Sequence, residues 1–401
     1  MNICFFEWGY PAKNFGGGGG TYVQIITKEL VRRGHKAFVI SQYLDYEPEE
    51  YFDDGVLVRR IRIKGWHGYF TKIPLVGSWL GRFFRIIESS LAINKTINKI
   101  HNEQKLDLVE FPESANFLYS LEVNLPYLVH LHVSSFTCKK YCVEKITLED
   151  RLQRKLEGFF MKKAGFLTSP SMFLKEEVIK EFKIDSSKIH VIPYPLDFDE
   201  LNSIGESRKD EWRNVYYAGR IEKRKGVDIL LKAVPLVIKS NPKVKFWLFG
   251  SSSNTLTLEE VKSFLKVNNV EENVKILSHI PREELINTVR DFDLCVFPAI
   301  FDNSPYVIYE AMALGKAVIS TRSFGGIPEL IEDGVTGLLV QPGNVEELAN
   351  AIINLLRDEK KSQEMGELAR KKAEEYYDVK IITDKRLALY NTIIEKHKII
   401  N

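Results

Sequence analysis

The sequence predicts an α/β protein with two doubly wound domains, each a mostly parallel sheet between layers of helices. The chain of 401 residues is too long for one core at roughly 100–200 residues per domain. Short apolar runs, typical of buried strands, alternate with longer amphipathic stretches from end to end. The alternation stops in the polar segment 197–211 and then restarts, which predicts a domain junction near residue 200.

The composition is that of a globular protein and narrows the classes of function. Hydrophobic residues make up 44% and charged residues 27%, and the formal net charge is only +2, which argues against nucleic-acid affinity driven by bulk charge. No apolar run reaches the roughly 18 residues of a membrane span, and the N-terminus lacks the features of a signal peptide. The four cysteines are too few for a disulfide framework in a chain this long, and although Cys138 and Cys142 are four positions apart, no set of Cys and His partners completes a zinc site. We therefore expect a reduced, cytoplasmic compartment and no metal site.

Apolar runs predict the strands of both domains, and amphipathic stretches predict the helices between them. In the first domain we expect strands at 2–6, 37–41, 106–111, 127–131, 166–169 and 189–192, and helices at 22–33, 84–100 and 151–163. In the second we expect strands at 214–218, 244–250, 274–277, 294–298, 317–320 and 338–340, and helices at 227–239, 257–267, 306–314 and 345–357. The tail from about residue 360 is predicted to be helical, with a break near 377–379.

The first candidate site is a run of five glycines at 16–20, between the first strand and a helix expected to begin near Thr21. Ligands of doubly wound folds bind beyond the carboxyl ends of strands, which is where this run lies. Glycines let a ligand approach the backbone, and a helix N-terminus presents N–H groups to an anion. The run lacks the spacing of a dinucleotide fingerprint. A ligand-binding loop is favoured over a simple surface loop.

The second candidate site is the turn after the first strand of the second domain. Arg220 and Lys225 flank this turn, where two cations could clamp a diphosphate. Solvated basic residues in a turn are the alternative interpretation. The position at a strand's carboxyl end favours a binding role.

The third candidate site is the segment 301–312. Ser304 is expected to be the N-cap and Pro305 the first residue of a helix whose amides suit an anionic or hydroxyl-rich ligand. Asp302 precedes this helix. Glu310 lies inside it, in the otherwise apolar run VIYEAMALG, and a carboxylate there needs a partner such as a sugar or ribose hydroxyl.

The fourth candidate site is the strand around residues 127–132, which carries two histidines. His130 and His132 share a face if the strand continues that far. A core role is favoured for His130. His132 falls where the strand should end and is the better site candidate, although two histidines alone do not make a metal site.

Together these segments resemble the family 4 retaining glycosyltransferases, which have the GT-B architecture. The resemblance covers nearly the whole chain and rests on the order and spacing of several motifs. They are Gly17 and Gly18 with Tyr22, the run HVIP at 190–193 with Asp197, Gly219-Arg220 with Lys225-Gly226, Asp302 with Glu310 eight positions on, EAMA at 310–313, GGIPE at 325–329 and GLLV at 337–340.

The resemblance implies a role for each candidate residue. Arg220 and Lys225 would neutralise the diphosphate of a nucleotide-sugar donor. Glu310 would accept hydrogen bonds from the ribose, and Asp302 would hold sugar hydroxyls. The backbone amides of Asn303, Tyr306 and Val307 would complete the wall around the sugar hydroxyls. His132 would lie near the donor sugar and phosphate. Gly17 and Gly18 would let the backbone of the first domain close over the phosphates. The family usually has Glu at the position of Asp302, which is one methylene shorter.

The resemblance also implies an architecture and a mechanism. Residues 1–198 would bind the acceptor, 199–377 the nucleotide sugar, and a C-terminal helix at about 378–401 would return to the first domain, with the two Rossmann-like domains facing a cleft. The expected reaction is front-face transfer with retention, without a metal or other cofactor. A nucleotide-sugar epimerase or hydrolase of the same fold, and a non-catalytic nucleotide-sugar binder, are the alternatives.

The near-neutral charge conceals a basic segment at 59–87, which contains no acid. Its basic residues are Arg59, Arg60, Arg62, Lys64, Lys72, Arg82 and Arg85, and its aromatic residues include Trp66, Tyr69, Phe70, Trp79, Phe83 and Phe84. This pattern suits an anionic membrane surface, here the inner face of the cell membrane, or a lipid-linked acceptor. An acceptor-side loop whose aromatics pack or stack on sugars is the alternative. No nucleic-acid partner is expected, because no such binding fold accompanies the segment.

Overall fold

A computed structural model describes the chain in two compact units. It covers residues 1–401 except 11–16, 43–47, 64, 66–76, 115, 117, 122–124, 143, 203–210, 278–279 and 401, and it leaves out the side chains at 77–80, 82, 135, 283 and 400. The first unit contains Met1–Pro195 and Val379–Asn401, and the second contains Leu196–Asp378.

Within the described residues, the first unit is built on an eight-stranded sheet. Its strands are β1 (Asn2–Glu7), β2 (Lys36–Gln42), β3 (Glu49–Asp53), β4 (Val56–Ile61), β5 (Leu108–Pro112), β6 (Tyr127–His130), β7 (Phe166–Ser169) and β8 (Ile189–Val191). Their order is β3-β4-β2-β1-β5-β6-β7-β8, and only the β3–β4 pair is antiparallel. The chain winds outward from β1 in both directions, so the sheet is doubly wound as predicted.

Helices cover the faces of this sheet, as expected when parallel strands are buried on both sides. They are α1 (Gly18–Arg32), α2 (Gly77–Gln104), α3 (Ser135–Tyr141), α4 (Leu148–Lys163) and α5 (Met172–Phe182), joined by the C-terminal α14 (Val379–Ile400). Helix α1 begins at Gly18, three residues before the predicted start. Among the described helices of the chain, none combines the length and apolarity needed to cross a bilayer.

The β3–β4 hairpin at the edge of the sheet was not predicted. Strand β3 reads EEYFD and is mostly exposed, so it lacks the apolar run by which the other strands are recognised. Its register places Glu50 opposite Arg59 and Glu49 opposite Arg60. The first two arginines of the basic segment therefore lie on an edge strand, opposite two acids.

Within its described residues, the second unit has a six-stranded parallel sheet. The strands are β9 (Arg213–Ala218), β10 (Val244–Phe249), β11 (Val274–Leu277), β12 (Leu294–Val296), β13 (Val318–Thr321) and β14 (Leu338–Val340). Their order is β11-β10-β9-β12-β13-β14. The helices are α6 (Phe198–Asn202), α7 (Val227–Ser240), α8 (Leu258–Val267), α9 (Arg282–Val289), α10 (Tyr306–Ala313), α11 (Ile327–Leu330), α12 (Val345–Arg357) and α13 (Glu359–Tyr377). This sheet is also doubly wound.

The last two helices meet at Asp378, the break between α13 and α14. The Leu196 N–H donates to the Tyr377 carbonyl over 2.8 Å. This hydrogen bond connects the first residue of the second unit to the last residue of α13. Helix α14 then packs on the first unit. There Asp384 pairs with Arg33 at the end of α1, and Arg386 pairs with Glu110 on β5.

Candidate active site

The strand orders fix where a ligand site belongs in each unit. In the first unit the order reverses between β1 and β5, and in the second it reverses between β9 and β12. At such a point the loops leaving the two strands diverge and open a crevice at their carboxyl ends. The predicted glycine run follows β1, Arg220 and Lys225 follow β9, and Asp302 follows β12. The four predicted segments therefore lie at or beside these two points.

In the second unit, Lys225 and Asp302 form an ion pair. Lys225 ends a short turn, and its Nζ donates to Oδ2 of Asp302, while the N–H of Asn303 donates to Oδ1 over 2.9 Å. Burial alone would raise the pKa of Asp302, but Lys225, Arg224 and the Asn303 amide together hold it below the usual range. Asp302 is therefore a charged carboxylate in a fixed orientation.

The loop carrying Asp302 is backed by the glycine pair at 325–326. A Cβ at Gly325 would lie 1.9 Å from the carbonyl oxygen of Asp302, and the φ of Gly325 is +129°. Only glycine allows this approach of the two backbones. The first glycine of the GGIPE motif thus lets its backbone pack directly against the backbone of Asp302.

Arg220 and Arg224 lie in the same turn in different environments. The Arg220 side chain is 66% exposed and reaches Glu222 over 3.3 Å. Arg224, which sequence reasoning missed, donates to the Phe301 carbonyl over 3.1 Å and to Glu222 over 2.7 Å. Arg224 therefore ties the β9 loop to the β12 loop, while Arg220 presents its guanidinium to solvent.

The predicted N-cap of α10 is wrong by one residue. Pro305 has extended backbone with ψ 118° and occupies the N-cap position, and the helix begins at Tyr306. Ser304 is therefore one residue too early to cap the helix, and its Oγ is buried without a hydrogen-bond partner among the described residues. Asn303 is buried in the same loop, and Val307 follows Tyr306 in the first turn.

Glu310 is buried on α10, and its partner is a residue that sequence reasoning missed. Arg282, at the start of α9, donates from Nε to Oε1 of Glu310 over 2.8 Å and from Nη1 to Glu200 over 3.1 Å. Burial raises the pKa of Glu310, and the Arg282 guanidinium opposes that rise. The two partners are 28 positions apart in the sequence, and no local signal connects them.

In the first unit, the glycine run forms the start of α1. Gly17 is the N-cap residue with a φ of +133°, and its carbonyl accepts from the Thr21 N–H over 3.2 Å. Gly18 is the first helical residue. Gly16 lies outside the described residues.

His132 lies two residues beyond the end of β6 and lies close to Tyr194, Glu113 and Glu7. Its Nδ1 is 2.6 Å from the Tyr194 hydroxyl, its N–H donates to Glu113 over 3.0 Å, and its Nε2 is 3.7 Å from Glu7. Burial, with Arg386 nearby, lowers the pKa of His132 to about 3, so the imidazole is neutral at pH 7. His130 is a core residue, as predicted: it is 1% exposed, and its Nδ1 is 2.7 Å from the Thr168 hydroxyl.

Behind these histidines lies a buried ionic network that sequence reasoning also missed. Arg386 of α14 donates from Nη1 to both oxygens of Glu110 over 3.1 and 3.0 Å, and the hydroxyls of Tyr390 and Tyr22 donate to the same carboxylate. The guanidinium carbon lies 4.5 Å from the centre of the Tyr22 ring. Nη2 of Arg386 is 3.1 Å from His130. The partners are 276 positions apart, so only the folded chain reveals them.

The basic segment is only partly described. Lys64, Trp66, Tyr69, Phe70 and Lys72 lie outside the described residues, as do the side chains of Trp79 and Arg82. Arg59 pairs with Glu50 and Glu103, and Arg60 pairs with Glu49 over 2.8 Å. Both arginine side chains are largely buried, so these two charges are compensated within the protein.

Two protein-family models match consecutive parts of the chain. Glycosyltransferase Family 4 matches residues 16–200, and the glycosyl transferases of group 1 match residues 199–372. An uncharacterised glycosyltransferase of Methanocaldococcus jannaschii is 25% identical over 98% of this chain and 99% of its own. The alpha-D-kanosaminyltransferase of Streptomyces kanamyceticus is 22% identical over 81% of this chain and 85% of its own.

Solved structures share the fold. Sucrose-phosphate synthase from Thermosynechococcus elongatus superimposes with a TM-score of 0.79 at 19% identity, over 99% of this chain and 100% of its own. Anabaena HepE in complex with UDP-glucose gives a TM-score of 0.72 at 20% identity, over 98% and 100%. These likenesses confirm the predicted fold. The chain therefore has the GT-B fold, its N-terminal half matches the Family 4 glycosyltransferase model, and its C-terminal half matches the group 1 glycosyl transferase model.

Proposed function

We propose that this chain moves a sugar from a nucleoside-diphosphate sugar to an acceptor hydroxyl, with retention of configuration and without a metal ion. The observation that carries the proposal is the grouping of Arg220, Lys225 and Asp302 at the reversal point between β9 and β12. That grouping lies in the part of the chain that matches the group 1 glycosyl transferases. The relative HepE, which shares the fold, is known in complexes with UDP and with UDP-glucose.

Lys225 and Arg220 would stabilise the departing diphosphate. Negative charge grows on the leaving group as its bond to the sugar breaks, and fixed cations lower the energy of that state. Lys225 is oriented by Asp302, whereas the exposed Arg220 has room to swing onto a phosphate. Asp302 would accept hydrogen bonds from sugar hydroxyls, with the amides of Asn303, Tyr306 and Val307 beside it.

Glu310 would bind the ribose of the donor. Its Oε1 is occupied by Arg282, which fixes the carboxylate on α10 and lowers the cost of keeping it charged in a buried place. A carboxylate held in this way can accept hydrogen bonds from paired hydroxyls. In the first unit, the neutral His132 would contact the donor sugar and phosphate, and Gly17 and Gly18 would let the backbone close over the phosphates.

The pairing of both carboxylates supports front-face transfer. A double displacement needs a carboxylate at the anomeric carbon to act as nucleophile. Asp302 is engaged by Lys225, and Glu310 by Arg282. In the proposed step, the bond from the anomeric carbon to the phosphate oxygen breaks, and a bond to the acceptor oxygen forms on the same face. The acceptor proton moves to the departing phosphate oxygen.

The test is an assay of nucleoside diphosphate release from a panel of nucleotide sugars, with and without sugar and lipid-linked acceptors. We expect acceptor-dependent release, a product with the donor's anomeric configuration, and an unchanged rate in EDTA. Isomerisation or hydrolysis that no acceptor stimulates would instead identify an epimerase or hydrolase. Saturable binding without turnover under any acceptor would identify a non-catalytic binder.

We propose that the first unit binds the acceptor, a carbohydrate or a lipid-linked molecule, and that the basic segment 59–87 contacts an anionic membrane surface from the cytoplasm. Because Arg59 and Arg60 are ion-paired, the contribution of this segment rests on the basic residues after them. We expect the protein to bind phosphatidylglycerol vesicles at low salt and to be released by higher salt. No binding at low salt would contradict this part of the proposal.

A further inference from the structure

Glu7 is a buried carboxylate at the centre of the first unit's candidate site, and no motif points to it. It is the last residue of β1, at the reversal point between β1 and β5, and is 7% exposed. Its Oε1 accepts a long hydrogen bond of 3.4 Å from the Gly9 N–H. Its Oε2 is buried and has no hydrogen-bond partner among the described residues. Such an oxygen costs free energy unless a bound molecule supplies a donor.

The surroundings of Oε2 show what would fit. The Nε2 of His132 lies 3.7 Å from it, too far for a direct hydrogen bond. Two atoms at this separation can share one oxygen atom as a hydrogen-bond partner, so a hydroxyl that reaches them could donate to Glu7 and contact His132 together. The other ring nitrogen of His132 is 2.6 Å from the Tyr194 hydroxyl, which orients the ring.

The start of α1 is built around this carboxylate. A Cβ at residue 19 would lie 2.9 Å from Oε1 of Glu7, so glycine at this position lets the first turn of α1 pass against the carboxylate. The helix N-terminus thus already has an acidic neighbour. A hydroxyl directly beside this carboxyl group can donate a hydrogen bond to it, whereas a phosphate suits the free amides at the Gly17–Gly18 end of the turn, away from Glu7.

The remaining charged groups around Glu7 agree with a neutral ligand. Glu113 is the second carboxyl of the cluster, and it accepts from the His132 and Val133 amides over 3.0 and 2.9 Å. Arg386 lies behind His130 and is committed to Glu110. Among the described residues, no cation forms an ion pair with Glu7 or Glu113.

We propose that Glu7 and the Nε2 of His132 together bind a sugar hydroxyl, either on the transferred sugar or on the acceptor. This inference rests on the proposed function and adds a binding residue to it. A hydroxyl donating to Oε2 satisfies the buried oxygen, and the same hydroxyl oxygen accepts from Nε2 when the imidazole carries its proton there.

The test compares three variants with the wild type. Glu7→Ala removes the carboxylate, and Glu7→Gln keeps its shape and one acceptor oxygen. The control is Glu29→Gln, a buried carboxylate on α1 that pairs with Arg33 over 2.7 Å, away from this cluster. The readouts are the affinities for UDP and UDP-glucose by calorimetry, transfer kinetics with the acceptor panel, and the melting temperature.

We expect Glu7→Ala to leave UDP affinity within about twofold and to cost about tenfold in one sugar-dependent quantity, roughly the value of one hydrogen bond. Weaker binding of UDP-glucose would place the hydroxyl on the transferred sugar. A lower kcat/KM for the acceptor, with donor affinity unchanged, would place it on the acceptor. Glu7→Gln should show a smaller loss, and Glu29→Gln none.

Three results would overturn the inference. The first is full activity and full UDP-glucose affinity in Glu7→Ala. The second is an equal loss of UDP and UDP-glucose affinity in that variant. The third is a lower melting temperature of Glu7→Gln without any loss of a sugar-dependent quantity. A wild type that binds UDP-glucose better than UDP but transfers to no acceptor would count against the proposed function alone, because the binding readout needs no turnover.

Discussion

The two units carry their candidate site residues at equivalent places in similar sheets, but their electrostatics differ. In the second unit each carboxylate has a cation: Asp302 has Lys225, and Glu310 has Arg282. In the first unit Glu7 and Glu113 surround a neutral His132 instead, and burial raises the pKa of both, that of Glu7 to about 7. One doubly wound framework therefore carries cation-paired carboxylates at one candidate site and carboxyl groups around a neutral imidazole at the other. We propose that the first binds an anion and the second a hydroxyl.

The largest effect is expected at the ion pair between Arg386 and Glu110 in the first unit, whose two side chains are both almost fully buried. Arg386→Met would leave Glu110 charged and unpaired in a fully buried place, which costs about 3–5 kcal/mol of unfolding free energy. Adding Glu110→Gln should recover much of that loss. Chemical denaturation of the single and double variants measures both values. Loss below 1 kcal/mol in Arg386→Met would show that α14 is not held by this network.

In the second unit, Lys225→Ala should lower the transfer rate by about 10²–10³-fold, the usual cost of one charge-stabilising group. Lys223→Ala is the matched control, since this lysine lies in the same turn and is exposed. Steady-state kinetics of nucleoside diphosphate release separates the two. Similar rates in both variants, with circular dichroism spectra like that of the wild type, would show that Lys225 does not stabilise the leaving group.

A smaller, pH-dependent effect is expected from Glu157 on α4. Burial, with Glu113 nearby, raises the pKa of Glu157 to about 8, above the usual 4.5 of an unfolded chain. The folded state therefore keeps a proton that the unfolded state releases, so stability falls as the pH rises from about 4.5 to about 8. Glu157→Gln should therefore be more stable than the wild type at pH 8, with the difference shrinking as the pH falls and little of it left at pH 4. Melting temperatures across this range test it; a gain independent of pH would contradict the assignment.

The smallest effect is expected at the surface of the second unit. Arg322 pairs with Asp333 over 2.6 Å and with Glu347 over 3.1 Å, but all three side chains are at least one-third exposed. Exposed pairs contribute about 0–1 kcal/mol. Arg322→Ala should therefore change the unfolding free energy by less than about 1 kcal/mol, and a larger loss would show that the pair is not screened by solvent.

The same contrast explains what the sequence could predict. The second unit's residues lie in contiguous strand–loop–helix segments, so the positions of Arg220, Lys225, Asp302 and Glu310 relative to strand ends followed from hydrophobic periodicity. The role of Arg282 could not be predicted, because its partner Glu310 lies on another helix, and the hydrophobic pattern of neither helix indicates the contact. In the first unit, Glu7 follows the apolar run CFF and reads as the end of a strand, while Arg386 reaches Glu110 from the other end of the chain.

Two predictions made from local sequence patterns differ from the structure, one at a sheet edge and one at a helix start. Strand β3 was missed because a solvated edge strand needs no apolar residues, and its pairing with β4 compensates Arg59 and Arg60. The cap at Ser304 was wrong because Pro305 adopts extended backbone, which delays the helix by one residue.

The most direct test of the contrast between the units is the affinity for UDP of the wild type, Lys225→Ala and Glu7→Ala, measured by calorimetry at one ionic strength. If the second unit holds the diphosphate, Lys225→Ala weakens UDP binding by about tenfold or more, and Glu7→Ala leaves it within about twofold. Equal weakening by both variants, or no weakening by Lys225→Ala, would contradict the division between an anion-binding end and a hydroxyl-binding end.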